Sequence, residues 1–378
     1  MDFIIDGNAY LNVAINVTKN ICFRDKTVGA KYYVNDIFNE GKHILKEQVK
    51  LEFRNFCINY LNSLIAPVSS KIHRVHLVFD SSSWRKEYIN DFFENEDFKT
   101  DSAPEKFKYK GNRKKDDHIY LFFDYFQNEI SKKLIDLCGV NYYRIRGTEG
   151  DDIIAYLCEI IDTDALIYTV DGDIRQLTHS EKNNVIIIYP KQTSGHKKLC
   201  ISDCLNPSSA VDEVDNFFSL DDSHIVSNPI NYIVTTLKNK DYVEYKIDPV
   251  YEVFNKIFRG DGKDNIPKMD KMTPSKSERL IGEIRDQYGK ESIKLLDLSD
   301  SKFIDFVIQK ISILNKVNDI DKLTEIRKHF LFNSKIIRLS SSLFPEKVLD
   351  SLKEINPSEF KKFNFKKLIN IKNNPSII

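Results

Sequence analysis

Apolar residues follow two rhythms along this chain. In its first half, short unbroken apolar runs alternate with longer stretches at helical spacing. The runs at 2–5 (DFII), 72–79 (IHRVHLVF), 140–146 (VNYYRIR), 165–170 (ALIYTV) and 184–189 (NVIIIY) read as strands. Between them, residues 44–66 place Leu45, Val49, Leu51, Phe53, Phe56, Leu61 and Leu64 at helical spacing, and 119–138 and 151–161 also read as helices. Strand–helix alternation of this kind predicts a parallel sheet with helices on both faces. The polar stretch 190–248 has no clear period and reads as an insertion with a few short elements. From 249 onward the pattern is helical, over 249–258, 276–287, 302–314, 320–331 and 346–354. The expected organisation is an α/β catalytic domain over 1–258, a helical domain over 259–345, and a basic tail over 346–378 whose last part, 361–378, is expected to be partly disordered.

What interrupts the apolar runs changes the picture. The first run stops at Asp6, the second at Asp80, and the fourth at Asp171. In a parallel sheet these carboxylates share the carboxyl-terminal rim, where ligands of open α/β sheets bind. RGTEGDDIIAYL (146–157) sets Glu149, Asp151 and Asp152 just before an apolar helical run. Two like charges about 4 Å apart repel by roughly 4 kcal/mol at an effective dielectric near 20, so such crowding suggests a cation among them. TVDGDIRQL adds Asp173, and FRGDGKDNIPK (258–268) adds Asp261 and Asp264. Hard oxygen donors without clustered His or Cys suit Mg²⁺, with Mn²⁺ able to substitute; two such ions fit a phosphodiester substrate. Taken singly, an Asp after a strand is commonly a turn or helix cap, and Asp152 could simply favour a helix N-terminus.

Composition adds little. Among 378 residues, 56 Lys and Arg balance 56 Asp and Glu, so net charge does not point to nucleic acid and local segregation has to. Residues 81–118 show that segregation. SSWRKEY and KFKYKGNRKK interleave Trp84, Arg85, Tyr109, Lys110, Arg113 and Lys114, with bases for phosphates and rings for unpaired bases. A solvated loop is the other reading, and the acidic run Asp91, Glu94, Glu96, Asp97 and Asp101 would repel DNA. Six scattered cysteines suit free thiols in a reducing compartment. The amino terminus lacks a signal-peptide pattern and there is no apolar run of about 20 residues, so a soluble, cytoplasmic protein without membrane contact is expected, and nothing signals more than a monomer. His196, Cys200 and Cys204 recur every fourth residue and would share a helix face fit for zinc, although KKLCISDCL reads equally well as a strand.

IIDGN, LVFD, TEGDDIIAYL, TVDGDIRQL and RGDGKDNIPK together, spread over about residues 1–290, resemble the flap endonuclease/5′-exonuclease family, in particular its phage ribonuclease H branch. The resemblance implies a PIN-like α/β fold with a helical arch at about 81–118 and a helix–three-turn–helix element. It implies Mg²⁺-dependent 5′→3′ removal of RNA primers and 5′ flaps in DNA replication or repair, with host-cell cytoplasm as the place if phage-encoded. It implies a first metal at Asp6, Asp80, Glu149 and Asp151, and a second at Asp171, Asp173 and one or both of Asp261 and Asp264, with Asp152 near both. WRKEY is similar to the first arch helix, with Arg85 near the scissile phosphate. YKGNR is similar to the second, with Lys110 activating that phosphate and Tyr109 stacking on a base. The helix–three-turn–helix would place Thr273, Ser275 and Lys276 on duplex phosphates and hold K⁺, but MDKMTPS stands where a glycine-rich hairpin belongs. Expected partners are DNA and RNA–DNA hybrids with 5′ ends or flaps, and through replication a single-stranded DNA-binding protein or sliding clamp. Two rivals remain open: a PIN-type endoribonuclease, and a non-catalytic DNA-structure-binding protein.

Overall fold

The computed structural model describes residues 1–22, 45–95, 109–110, 119–178, 183–189, 197–202, 229–240, 242–374 and 377. Expectations for Arg113, Lys114, Glu96, Asp97, Asp101, His196 and Cys204 lie outside them.

Seven strands form one sheet: β1 (Asp2–Asp6), β2 (Arg74–Val78), β3 (Asn141–Tyr143), β4 (Ala165–Tyr168), β5 (Val185–Tyr189), β6 (Lys197–Ser202) and β7 (Tyr242–Ile247). Their order is β3-β2-β1-β4-β5-β6-β7. The first five run parallel; β6 is antiparallel to β5, and β7 is parallel to β6. Alternation along each strand sends neighbouring side chains to opposite faces. Phe3, Ile5, Leu77, Leu166 and Ile188 join one core with helices Gly7–Cys22, Glu47–Ile65 and Ser131–Cys138. Ile4, Val78, Ile167 and Ile187 face the other way, onto helices Gly150–Ile160 and Glu346–Lys353. The expected sheet with helices on both faces is therefore present.

A second core unites the helices Pro249–Arg259, Pro274–Tyr288, Glu291–Asp297, Ser301–Asn315 and Ile320–Ile337. It takes in Ile89 of helix Trp84–Asn95 and Tyr109, which tie the charged excursion to the helical half. Val250, Phe254 and Phe258 lie in this core, so the helix ending at the expected boundary near 258 packs with the helices on its carboxyl-terminal side.

Within 190–248 the described residues form a few short elements, as expected, and two of them join the sheet, where KKLCIS and YVEYKI pair along their whole length. Cys200 therefore lies buried on a strand, the reading of KKLCISDCL that competed with a helical zinc face. One local expectation needs correction. The tail is docked: helix Phe365–Asn373 buries Leu368 and Ile371 in the first core, and the Phe363 amide donates to the His73 carbonyl at 2.8 Å. Gly139 admits this strap, since a Cβ there would lie 2.4 Å from the Lys362 carbonyl oxygen at a φ of +70°. Among the described residues no helix is long and apolar enough to cross a membrane.

Candidate active site

The carboxyl-terminal rim of the sheet carries the acids. Asp6 ends β1, Asp80 follows β2, and Asp171 follows β4. Helix Gly150–Ile160 starts beside them, with Glu149 as its N-cap. Glu149 and Asp152 form a capping box, each side chain taking the other's backbone N–H. That box fixes the helix start and turns Asp151 towards the rim. Gly150 donates its amide to Asp80 Oδ1 at 2.7 Å and so links helix to strand.

Nine sequence-identified carboxylates sort into three surroundings. In the first, Asp6, Asp80, Asp151 and Asp171 feel one another. Asp6 accepts from the Ala9 amide at 3.0 Å and the Thr169 hydroxyl at 2.8 Å. Asp171 Oδ1 accepts from the Asp173 amide at 2.9 Å. Burial, with repulsion from Asp80 and Asp171, pushes Asp6 up to about 7 in spite of those two hydrogen bonds. Burial first, then Asp171, Asp6 and Asp80, hold the Asp151 carboxyl well above its ordinary range; only Lys110 pulls it down. These side chains want positive charge that the fold supplies sparingly.

Glu149 and Asp152 have it in full. Arg85 is buried, and its Nη1 lies 3.0 Å from both Glu149 Oε2 and Asp152 Oδ2, with Nη2 2.8 Å from Asp152 Oδ1. Trp84 Nε1 donates to Asp152 at 3.1 Å, and the Tyr109 hydroxyl donates to Glu149 at 2.9 Å. Lys110 pairs with the other Glu149 oxygen, and its amide donates to the Asp264 carbonyl at 3.1 Å. Burial would raise Glu149, but Arg85 and Lys110 outweigh it and leave the carboxyl below its ordinary value. Asp264 is buried, its Oδ2 3.9 Å from the Lys110 ammonium. Arg85, Lys110, Trp84 and Tyr109 thus all meet at this corner.

Asp173 and Asp261 form the third setting, bridged by Lys256 of helix Pro249–Arg259. Asp261 also accepts the Lys263 amide at 2.8 Å, and its carboxyl is held low by Lys256 against the opposing effect of burial. Gly260 makes the turn possible: at φ +67° a Cβ would lie 2.3 Å from the Ile266 carbonyl oxygen. Sequence reasoning misses Lys256 and Thr169. Thr169 carries a signal, as the hydroxyl next to the strand-end TVDGD; a lysine pairing across elements leaves no local one.

Thr273, Ser275 and Lys276 form a separate cluster. Thr273 caps helix Pro274–Tyr288, its hydroxyl accepting the Lys276 amide at 3.4 Å and lying 3.3 Å from the Ser275 hydroxyl. The Lys276 ammonium reaches Asn315 Oδ1 at 2.7 Å and the Lys271 carbonyl at 3.2 Å. Met269 and Met272 are buried in the second core, so the hairpin that lacks glycine is held by packing.

All-oxygen donors fit a hard divalent cation. Among the described residues, however, no group of three His, Cys, Asp or Glu side chains is gathered into a ready ion cage. The rim acids repel one another, and eight of the nine, all but Asp151, accept from a protein donor or pair with a cation among the described residues.

No family model matches the sequence, and no curated protein matches it. Among solved structures, the T5 D15 protein co-crystallised with metal ions is similar over 98% of this chain and 98% of its own, at 15% identity and a TM-score of 0.45. Bacteriophage T5 D15 flap endonuclease in complex with DNA and metal ions is 16% identical over 99% of both chains, with a TM-score of 0.40. The catalytic core of Rad2 with DNA substrate is 13% identical over 98% of this chain and 90% of its own, at 0.33. Likeness at this level says nothing of the chemistry, which rests on the side chains described above.

Proposed function

We propose that this chain is a divalent-metal-dependent, structure-specific 5′ nuclease, cutting DNA and RNA–DNA hybrids at 5′ ends or flaps, with RNA primer removal in replication or repair as its setting. The observation that carries this reading is the repulsive quartet Asp6, Asp80, Asp151 and Asp171, where burial and mutual charge raise Asp6 and Asp151. A fold tolerates such a group when cations are to be recruited. Mg²⁺ or Mn²⁺ ions held there would lower the pKa of water and stabilise a leaving oxygen. Asp6, Asp80, Asp151 and Asp171 would be the central ligands, with Glu149, Asp152, Asp173, Asp261 and Asp264 joining as their protein partners yield.

Arg85 is locked between Glu149, Asp152 and the Ile336 carbonyl, so its first task is to orient those two acids. Lys110 sits less deeply, and its ammonium can move from Glu149 to a phosphate oxygen. Tyr109 beside it offers a ring to an unpaired base. Thr273, Ser275 and Lys276 would touch duplex phosphates away from the cut. The test is cleavage of a 5′-labelled DNA flap and an RNA–DNA hybrid, each with and without Mg²⁺, beside plain single-stranded RNA. Mg²⁺-dependent products from the first two support the reading. Cleavage of the RNA alone would favour an endoribonuclease, and tight DNA binding without any product would sink catalysis.

A further inference from the structure

The hairpin over 267–273 turns without glycine, and Lys271 takes the left-handed conformation there at φ +52°. Its carbonyls are satisfied from within the chain. Asn333 Nδ2 donates to the Pro267 carbonyl at 3.0 Å, and the Met272 amide to that of Met269 at 3.2 Å. Asn315 Nδ2 donates to the Asp270 carbonyl at 3.2 Å, and the Lys276 ammonium to the Lys271 carbonyl at 3.2 Å. The Thr273 carbonyl accepts the Ser277 amide at 2.9 Å.

Lys276 is the odd member. Thr273 caps helix Pro274–Tyr288, so Lys276 stands at the third position after the cap. A capping box puts Glu or Gln there, and the helix dipole favours negative charge at that end. Lys276 is half-buried and turns its charge back into the hairpin, 2.7 Å from Asn315 Oδ1 as well as against the Lys271 carbonyl. Asn315 ends helix Ser301–Asn315, and its two amide atoms hold the ammonium and the Asp270 carbonyl together. Backbone and amide oxygens around one positive charge are the surroundings in which a monovalent ion exchanges its water shell for protein. K⁺, which the resemblance implies at this element, does not fit. The oxygens it would draw on already accept from protein donors, and a second positive charge among them would be repelled.

We propose that Lys276 is a tethered monovalent cation, its ammonium bracing the hairpin in place of K⁺. The inference rests on the reading that this hairpin holds duplex. It moves Lys276 from a direct phosphate contact to a positioning residue behind Thr273 and Ser275, whose exposed hydroxyls lie 3.3 Å apart. A tethered ion cannot be diluted or exchanged. Duplex binding therefore responds to ionic strength but not to which monovalent cation supplies it.

The experiment measures binding of a fluorescent DNA duplex, without divalent ion, to wild type and Lys276→Ala. Each is run in potassium, ammonium or choline chloride at equal ionic strength. Wild type should bind equally in all three. In choline, Lys276→Ala should bind about tenfold more weakly, the worth of one lost charge-assisted hydrogen bond. K⁺ or ammonium should recover several-fold of that loss. A wild type that prefers K⁺, or a variant that neither ion rescues, overturns the tethered cation. A salt slope lower by about one, without rescue, would mark a lysine spent on a phosphate instead. Should wild type bind no duplex, the duplex reading fails on its own and melting decides the brace. Exchange of choline for K⁺ should then raise the melting temperature of Lys276→Ala more than that of wild type, and equal shifts overturn the proposal.

Discussion

Asp151 and Asp152 are neighbours in one helix turn, yet they live in opposite electrostatic worlds. Asp152 is fully buried between Arg85 and Trp84. Asp151 faces Asp6, Asp80 and Asp171, with only Lys110 to offset them. The helix period does the sorting, because successive residues point about 100° apart. Where the fold supplies its own cation, the acid is a structural element that orients others. Where it withholds one, the acid stays under its neighbours' repulsion, which is the feature the proposed metal site rests on. The same division separates Asp171, on the rim, from Asp173, which Lys256 already holds.

The sharpest way to break this comparison is Asp151→Asn. Losing this carboxylate should cut Mg²⁺-dependent cleavage at least about 10³-fold, as expected for a ligand in metal-assisted hydrolysis. Circular dichroism should report an unchanged fold, and melting without divalent ion should move up, because repulsion has been removed. Full cleavage by the folded variant would end the assignment of the rim as the site.

Arg85→Met asks the opposite question. It leaves Glu149 and Asp152 without their shared guanidinium in a buried corner, and breaking a buried ion pair from one side costs about 3–5 kcal/mol. Urea denaturation should show that loss. A change under about 1 kcal/mol would mean Arg85 is dispensable to the corner and is reserved for substrate instead.

Acidity separates the two surroundings by sign. Asp6 has a folded pKa raised to about 7. Its contribution to stability is therefore complete below the unfolded pKa near 4, and is lost as pH rises through about 7. Three units would correspond to roughly 4 kcal/mol; water reaches part of the side chain, so roughly 2 kcal/mol is the expected loss. Glu149 runs the other way: its lowered carboxyl stabilises above the ordinary Glu value, and that is lost as pH falls through the depressed one. Ion-free protein should therefore lose stability towards neutral pH, and Mg²⁺ should restore it. A stability curve flat from pH 4 to about 7 would contradict the raised Asp6.

Much of this is legible in the sequence, and the reason is local. β1, β2, β4 and β5 are buried on both faces, so each reads as an apolar run, and three end in an acid that needs no long-range information to be noticed. Helix Gly7–Cys22 escapes the pattern: asparagines at every fourth position, from Asn8 to Asn20, give it a polar stripe that masks its buried Tyr10, Ala14 and Ile15. β7 alternates exposed and half-buried positions at a sheet edge, which looks like a polar loop. The strap over 361–373 buries only Phe363, Leu368 and Ile371 among its lysines, too few for a sequence to announce docking. The acids themselves are legible but their partners are not, because Arg85, Lys110 and Lys256 pair with residues of other elements.

Lys256 is the subtlest case, and it sharpens the comparison most finely. It bridges Asp173 and Asp261, and both ends are only partly buried, so the pair adds little to stability. Lys256→Met should change unfolding free energy by no more than about 1 kcal/mol. The same change leaves two carboxylates without their lysine, next to a rim already short of positive charge. Divalent binding, followed by Mn²⁺ electron paramagnetic resonance, should then tighten several-fold, because no ammonium has to be displaced. Unchanged or weaker Mn²⁺ binding in the stable variant would show that Lys256 positions Asp173 and Asp261 rather than competing for them. The third surroundings would then belong with the Arg85 corner and not with the rim.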